Sequence, residues 1–472
     1  MQKFFSFLIG LVFLLVLATW NSTPVAAVSA STAPLAQSTF AITTVSPDGA
    51  VLAPLTTVIR ATFDANVDMA TVNPQSFAVQ SNVRGRLAGA FTYDGPTQTV
   101  TFTPNRALLQ GELITVILTN AIKSTTTQTL TPYQWRFTAG HLEQRCIQSF
   151  QAYEEDFTSV WSSTGAWGDY DNDGDLDVIV AGQSSTLRAT YLYQNQSNGL
   201  FVQIAIGLPG IREGSVGWGD YDNDGDLDIL LAGETRTNQI TQIYNNNGNN
   251  AFINSALAFP GIWLGEASWV DYNNDGYLDV LIAGQTDTTS IARLYRNNQQ
   301  GGFVEVTVPF VGINNGAADW GDYDGDGDLD LLLTGDNGTA LTNLYRNEGN
   351  DAFVNANANL AGVRDSTVAW NDYDRDGDED ILLSGNTNSF VATTFLYRND
   401  GNGAFTNTNP GIVGVTDGVV AWGDYDNDGD ADILINGKDQ SDQSTTRLYI
   451  NRNGAFTVAP FTFPAVSLGS IG

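Results

Sequence analysis

The amino-acid sequence predicts an all-β protein, and three observations support this prediction. From residue 150 onward the sequence repeats with a period of 50 to 52 residues. Each repeat contains short strand-like runs bounded by Asn- and Gly-rich turns, such as LYRNDGNGAF at 396–405. No segment of the repeats has a helical apolar stripe of useful length. A period of this size indicates a solenoid, a propeller or another array of repeats.

Each repeat contains four predicted strands. One strand follows a Phe, one leads to a Trp, one is an apolar run such as VIVAG at 178–182, and one ends in Leu-Tyr. The apolar run does not alternate with polar residues, so we expect both of its faces to be covered. Four strands in a repeat of about 50 residues are typical of a β-propeller blade.

The N-terminus has the pattern of a secretory signal peptide over residues 1–27. One Lys precedes an apolar run from Phe4 to Leu17, and small residues lead to cleavage after Ala27 or Ala30. An uncleaved signal anchor is the alternative. Residues 28–39 are small and polar, which predicts a flexible leader. No later stretch is long and apolar enough to span a bilayer, so we expect a secreted or cell-surface chain with no transmembrane segment after signal removal.

The charge of the chain is concentrated in the repeats. The formal net charge is −32, and six Asp-rich loops hold more than half of the 52 acidic residues. No basic stripe is present that could neutralise phosphates, so nucleic acid is disfavoured as a partner. Cys146 is the only cysteine, which leaves no internal disulfide to stiffen these loops.

Five of the six Asp-rich loops follow the spacing D-x-D-x-D-G-x-x-D, as in WGDYDNDGDLDVIVAG at 167–182, and the third has Asn273 in place of the second Asp. In a tight loop the oxygens of positions 1, 3, 5 and 9 converge, and the Gly at position 6 permits the required backbone turn. Calcium accepts six to eight oxygens in such flexible geometry. The EF-hand alternative fails because position 12 is apolar, as at Val180. Mg²⁺ prefers a more rigid octahedron, Zn²⁺ lacks ligands here, and coincidental surface acidity is the remaining alternative.

Residues 150–472 resemble the FG-GAP/VCBS repeats that build the calcium-binding propeller of integrin α subunits and of many bacterial secreted proteins. The resemblance implies an integrin-α-like β-propeller with about one Ca²⁺ per complete repeat. It also implies that positions 1, 3, 5 and 9 bind the ion by their side chains and position 7 by its carbonyl. Because Asn273 lacks a charge, we expect the third site to be the weakest. The implied ligands are Asp169, Asp171, Asp173, Asp175 and Asp177; Asp220, Asp222, Asp224, Asp226 and Asp228; Asp271, Asn273, Asp275, Tyr277 and Asp279; Asp322, Asp324, Asp326, Asp328 and Asp330; Asp372, Asp374, Asp376, Asp378 and Asp380; and Asp424, Asp426, Asp428, Asp430 and Asp432.

Residues 40–140 lack Asp-rich loops and contain their own strand-like runs. Alternating apolar residues in TVTFTP at 99–104 suggest sheets with one covered face. About seven strands in about 100 residues fit a β-sandwich. The segment from Pro47 to Thr138 resembles the bacterial Ig-like domain of surface-layer and adhesin proteins. The predicted domains are therefore an Ig-like β-sandwich at 40–140 and a propeller at 141–472.

The sequence favours recognition over catalysis. The single His141 lies between the two predicted domains, and no Ser/His/Asp or Cys/His set can be assembled. We therefore expect no enzyme, but an adhesion or extracellular recognition protein with a protein or glycan ligand. The alternatives are a lectin-like module and a calcium-dependent polysaccharide-active enzyme. The recurrent Trp and Tyr of the loops are expected to pack between blades, whereas Trp161 and Trp263 lie outside the repeat pattern and are candidates for a ligand surface.

The C-terminal end of the sequence parallels the start of a repeat. FPAVSLGSIG at 463–472 matches LPGIREGSVG at 208–217, which leads into Trp218. We therefore expect six complete blades plus a partial seventh, in a chain that continues in a longer protein. The rival expectation is a closed six-bladed ring.

Overall fold

The structure is a computed structural model, and it describes residues 40–47, 53–140, 157–460 and 463, except for 186, 197–199, 249, 402, 409 and 427. The predicted signal peptide, the leader, His141 and Cys146 lie outside the described residues. In the described part of the chain, no helix has the length and apolar character needed to cross a membrane.

Residues 40–140 form a sandwich of two four-stranded sheets, as the alternating patterns predict. The strand Thr99–Pro104 alternates buried and less buried residues along its first four positions, which places Val100 and Phe102 in the core. Eight strands are present where about seven were predicted, because a two-residue strand at Gly85–Arg86 forms one sheet edge. The sheets contain Ile42–Ser46, Ile59–Phe63, Thr99–Pro104 and Gly89–Asp94, and Gly85–Arg86, Phe77–Ser81, Leu113–Leu118 and Tyr133–Thr138, with a short 3-10 helix at Met69–Thr71.

The repeats form six antiparallel four-stranded sheets, which are the predicted propeller blades. The second strand of each blade is buried at its first six positions, so the prediction that both faces of the apolar run are covered is confirmed. The blades are Trp161–Gly168, Asp177–Gln183, Arg188–Asn195 and Phe201–Ile204; Arg212–Gly219, Asp228–Glu234, Gln239–Asn246 and Phe252–Asn254; Trp263–Val270, Asp279–Gln285, Ser290–Asn297 and Phe303–Val306; Ala318–Gly321, Asp330–Asp336, Ala340–Asn347 and Phe353–Asn355; Arg364–Asn371, Asp380–Asn386, Ala392–Asn399 and Phe405–Asn407; and Thr416–Gly423, Asp432–Lys438, Ser444–Arg452 and Ala455–Val458.

The order of strands within a blade differs from the predicted repeat unit. The strand that begins at each Phe pairs with the preceding Leu-Tyr strand, for example Phe201 with Asn195. Each blade therefore begins before a Trp, because the Asn- and Gly-rich turn closes a hairpin within one blade. The strand at Phe456 completes the sixth blade. Phe150 lies outside the described residues, and of the predicted start of a seventh blade at 463–472 only Phe463 is described.

Adjacent blades pack through apolar clusters and stacked rings. Tyr170 of the first loop stacks on Trp218 of the second blade, with centroids 6.0 Å apart and planes 12° apart. Tyr221 on Trp269 and Tyr373 on Trp422 repeat this arrangement. The prediction that the recurrent rings pack between blades is confirmed. This stacking explains why the Trp and the Tyr recur at fixed positions.

The sandwich packs on the propeller face that carries the Asp-rich loops. Val83 of the sandwich packs into the apolar cluster between the first two blades. The carbonyl of Val83 accepts the backbone N–H of Asp220 at 2.8 Å. Gln134 donates to the carbonyl of Asp322 at 2.8 Å. The Asp-rich loops of the second and fourth blades are thus held between their own strands and a second domain.

Candidate metal centre

Each Asp-rich loop joins the first and second strands of a blade, and both ends of the loop are fixed. In the first blade, Asp169 accepts backbone N–H groups from Asp173 and Gly174, each at 3.0 Å. Asp177 opens the buried second strand and accepts the N–H of Asn195 from the third strand at 2.8 Å. Positions 1 and 9 are therefore held in place by backbone hydrogen bonds rather than by positive charge.

The glycine at position 6 makes the turn that brings the two ends together. Its φ lies in the left-handed region in all six loops, as at Gly174 with +95° and Gly225 with +103°. A Cβ atom is disfavoured in this region, so the fixed Gly is a requirement of the loop geometry.

In five loops the carboxylates of positions 1, 3 and 9 converge on one point. In each set, one oxygen of every residue lies within 4.8 Å of an oxygen of the others. The carboxylates of position 5 are not in these groups, and one of their oxygens instead accepts the N–H of position 7, as between Asp173 and Asp175 at 3.0 Å. The five groups are Asp169, Asp171 and Asp177; Asp220, Asp222 and Asp228; Asp322, Asp324 and Asp330; Asp372, Asp374 and Asp380; and Asp424, Asp426 and Asp432.

These carboxylates are costly to ionise without a cation. Burial is the main cause that raises the pKa of Asp177 and Asp228 to about 8 and the pKa of Asp380 to about 9. The neighbouring Asp side chains of each loop raise these pKa values further. A divalent cation would reverse this effect, since it attracts the charged form of every carboxylate around it.

The residues present fit such a cation. Every loop has one buried carboxylate oxygen with no hydrogen-bond partner, although buried polar atoms in folded proteins are nearly always paired. The oxygen belongs to position 1, 3 or 9, which are three of the four positions predicted to bind the ion through their side chains; no position-5 oxygen is among them. These atoms are Oδ1 of Asp171, Asp220, Asp324, Asp374 and Asp426, and Oδ2 of Asp279.

The third loop is different from the other five. Asn273 replaces the Asp of position 3, so the loop has no group of three converging acidic residues. Its Asp271 accepts N–H groups from Asp275 and Gly276, each at 2.9 Å, and a third from Arg86 of the sandwich at 2.7 Å. The loop retains one unpartnered oxygen, on Asp279.

Two sets of Asn residues connect the loops, and the sequence analysis did not identify them. In the second blade, Asn246 donates its backbone N–H to Asp228 at 2.8 Å and its side-chain amide to the carbonyl of Tyr170 in the preceding loop at 2.9 Å. Asn172 at position 4 donates to Asp226 of the following loop at 3.0 Å. The recurrence of Asn two residues after Leu-Tyr was the available signal, and it was interpreted only as part of a turn.

A polar cavity of about 530 Å³ lies between the third and fourth blades. It is lined by Tyr272, Asn298, Gln299, Asn350 and Asp351, among others. Trp161 and Trp263, the predicted candidates for a ligand surface, begin the first strands of their blades. These strands end at the loops, so the two Trp residues lie at the opposite ends of the strands and do not line this cavity.

Comparison with solved structures gives only distant likenesses. An auxiliary nutrient binding protein from Bacteroides thetaiotaomicron is 11% identical with a TM-score of 0.36, over 84% of this chain and 95% of that one. A DUF4784 family protein from Bacteroides caccae is 9% identical with a TM-score of 0.29, over 88% and 96%. The N-terminal part of the bacterial S-layer protein SbsC is 15% identical with a TM-score of 0.18. The match covers 43% of this chain and 42% of that fragment. Likenesses this low carry no argument about the present chain.

Comparison with curated proteins gives no match. Comparison with protein families is informative for both domains. A bacterial Ig-like domain matches residues 36–139. The FG-GAP-like repeat matches 169–231, 220–282, 271–333, 322–383 and 372–435, so each match spans two successive loops. Together these matches cover more than half of the chain, which therefore belongs to the FG-GAP-like repeat family.

Proposed function

We propose that the Asp-rich loops bind calcium and that the ions are structural parts of the propeller. The observation that carries this proposal is the buried, unpartnered carboxylate oxygen found in each loop. In five loops three carboxylates also converge within 4.8 Å, and an Arg reaches only the position-3 carboxylate in two of them, Arg346 at Asp324 and Arg452 at Asp426. Carboxylate oxygens in a flexible loop suit Ca²⁺ better than Mg²⁺, which demands a near-ideal octahedron.

The role of the ions follows from the position of the loops. Each loop holds the first two strands of its own blade, and in the first five loops the carbonyl of the Tyr accepts the side-chain amide of an Asn in the following blade. A bound ion would stabilise both contacts, because it offsets the repulsion among the carboxylates that the contacts hold together. Residues at positions 1, 3 and 9 bind the ion in this proposal, and none is needed for proton transfer.

We further propose that the protein acts outside the cytoplasm, in adhesion or recognition, and that it is not an enzyme. Extracellular calcium modules bind at roughly 10⁻⁴–10⁻³ M, and loops of this kind would be filled only where calcium is abundant. The predicted signal peptide and the bacterial Ig-like domain that precedes the repeats support this location.

The test is calorimetry of the full chain with calcium and with EDTA. A ligand that binds only the folded state at 100 times its Kd stabilises that state by about 2.7 kcal/mol per site. Chelation is therefore expected to lower the melting temperature of the propeller transition strongly and to leave the sandwich transition in place. Calcium added in excess of EDTA should restore the propeller transition, whereas Mg²⁺ should not. Equal melting curves in all conditions would refute the proposal.

A lectin-like role is the second candidate, and the cavity between the third and fourth blades favours it. Amide and carboxylate side chains such as Asn298, Gln299 and Asn350 line this cavity, and such groups suit a ligand rich in hydroxyls. A glycan array with the parent protein and an Asn350→Ala variant tests this role. Binding that the variant loses would support it, and an array without any bound glycan would contradict it.

A further inference from the structure

The sandwich approaches the third loop more closely than side chains would allow. A Cβ atom added to Gly85 would lie 2.8 Å from both Cβ and Oδ2 of Asp271, and the φ of Gly85 is +65°. The next residue, Arg86, donates its backbone N–H to Asp271 Oδ2 at 2.7 Å. Gln80 donates its side-chain amide to Asn274 at position 4 of the same loop. The sandwich edge is therefore fitted to this loop by a glycine and two polar contacts.

The third loop also has the least negative charge of the six. It contains three acidic residues, Asp271, Asp275 and Asp279, where each of the other loops contains at least five. In four other loops the Asp of position 3 has one buried oxygen without a hydrogen-bond partner. The side-chain oxygen of Asn273 instead accepts the N–H of Asp275 at 3.0 Å, and its amide donates to the Asp275 carboxylate at 3.2 Å. Two of the features that suit the other loops to a cation are thus reduced here.

A protein cation is present at this loop instead. The half-buried side chain of Arg86 is attracted by Asp271 and by Asp328 of the neighbouring fourth loop, but burial lowers the pKa of its guanidinium group, and its Nε is buried without a hydrogen-bond partner. Arg remains charged under all ordinary conditions. Asn274 donates to Asp328 at 2.8 Å, so the same side chain that contacts the sandwich also connects the third loop to the fourth.

We propose that the third loop is a docking site of the Ig-like domain rather than a sixth calcium site, in which Arg86 supplies part of the positive charge that calcium supplies in the other five loops. This inference rests on the proposed calcium binding of those five loops. It explains why the third loop has Asn273 where the other loops have Asp: this loop contacts the sandwich instead of binding an ion. It also predicts five tightly bound calcium ions rather than six.

The first experiment counts the ions bound by the full chain, by equilibrium dialysis at a calcium concentration that saturates the titration. Five ions are expected. Asp279→Asn at position 9 of the third loop should leave the count at five, whereas the matched Asp177→Asn at position 9 of the first loop should lower it to four. Six ions of equal affinity would overturn the inference but leave the proposed function intact. Absence of bound calcium would overturn the proposed function and, with it, this inference.

The second experiment measures docking by hydrogen exchange of the full chain in calcium. Asp271→Ala removes the acceptor of the Arg86 N–H, so the amide of Arg86 should exchange at least about tenfold faster, since hydrogen bonds to charged groups are among the stronger ones. Asp424→Ala at position 1 of the sixth loop is the control and should leave this amide unchanged. Gly85→Ala tests the contact from the sandwich side, and Gly95→Ala, whose added Cβ meets nothing closer than 3.8 Å, is its control. Unchanged exchange of the Arg86 amide in both Asp271→Ala and Gly85→Ala would overturn the docking role.

Discussion

The sandwich and the propeller both bury acidic side chains, but they compensate the charge in different ways. In the sandwich, Glu112 is 1% exposed and receives two N–H groups of the Arg84 guanidinium, each at 2.7 Å. It also accepts the hydroxyl of Ser81 at 2.5 Å. In the propeller, Asp228 is equally buried but accepts only backbone N–H groups, from Asn246 at 2.8 Å and Tyr221 at 3.3 Å.

This difference indicates what each domain needs in order to fold. The sandwich contains both the acid and the base of its buried pair, so its charge balance is complete within the chain. The propeller repeats an acidic loop six times without a matching set of basic residues. Its stability is therefore expected to depend on an ion from solution, and that of the sandwich is not.

The largest expected effects come from neutralising one buried acid in each domain. Glu112→Gln leaves Arg84 without its ionic partner, which typically costs about 3–5 kcal/mol, and the loss should be equal with calcium and with EDTA. Asp228→Asn should reduce the stabilisation by calcium. In EDTA at pH 9, however, the same change should raise the melting temperature, because burial raises the pKa of Asp228 to about 8 and the substitution removes an uncompensated charge.

Melting curves of the parent and the two variants, with and without calcium, measure this difference. The informative outcome is whether Asp228→Asn raises or lowers the melting temperature in EDTA. If Asp228→Asn destabilises the metal-free protein as much as the calcium-loaded one, the carboxylate has a role that does not involve a cation, and the contrast between the domains is wrong.

The sequence predicts the repeated parts of this molecule well because each is written six times. The period, the buried apolar strand, the left-handed Gly and the stacked Tyr and Trp are all features that a single chain repeats. The phase of the repeat was wrong, since the Phe strand completes a blade rather than opening one. The spacing of strands along the sequence does not show whether a strand pairs with the strand before it or with the strand after it. The turns within a blade and the connections from one blade to the next have similar lengths, so both pairings fit the sequence.

Contacts made only once were beyond sequence reasoning. Glu379 stands where four other loops have Leu, and it was counted simply as a further acid of its loop. The structure pairs it with Arg136 of the sandwich at 2.5 Å. The docking of Arg86 on Asp271 is also a single event, between residues 185 positions apart. Neither contact has a pattern that repeats along the chain, so its partner could be found only in three dimensions.

The pair of Arg136 and Glu379 extends the comparison to the boundary between the domains. Arg136→Met should destabilise the interface by about 3 kcal/mol or more, because it leaves a buried acid unpaired. Glu379→Leu should cost less, since Arg136 retains the carbonyl of Trp370 at 3.0 Å and its attraction to Asp319. The double variant should be close to the parent, because an apolar pair of similar volume often replaces a buried ion pair without loss.

A double-mutant cycle in urea measures the coupling between these two residues, and hydrogen exchange of Tyr133–Thr138 follows the interface directly. Additive effects of the two single variants would show that the pair does not hold the domains together. In that case the sandwich would be docked by the third loop and by apolar contacts such as Val83.

A smaller effect is expected from pH on the calcium affinity. Burial raises the pKa of Asp177 to about 8 and of Asp380 to about 9, against about 3.9 in an unfolded chain. In EDTA the folded state therefore holds extra protons, and the stability that they provide is lost as the pH rises from about 4 to about 9. Calcium displaces these protons, so its affinity should increase through the same range, by up to about tenfold per pH unit for each proton released. Isothermal titration between pH 6 and pH 9 measures this; an affinity independent of pH would place the ion away from these carboxylates.

The smallest expected effect concerns the connection between successive loops. Asn172 donates its side-chain amide to Asp226 at 3.0 Å and to the carbonyl of Gly225 at 3.3 Å, so Asn172→Ala should cost about 1 kcal/mol. Because its acceptor lies in the second loop, the loss should also weaken calcium binding there and leave the first loop nearly unchanged. The matched Asn274→Ala removes the corresponding bonds to the carbonyl of Gly327 at 3.1 Å and to Asp328 at 2.8 Å and should affect the fourth loop instead. If both variants weakened all loops equally, the ions would be coupled through the whole propeller rather than from each loop to the next.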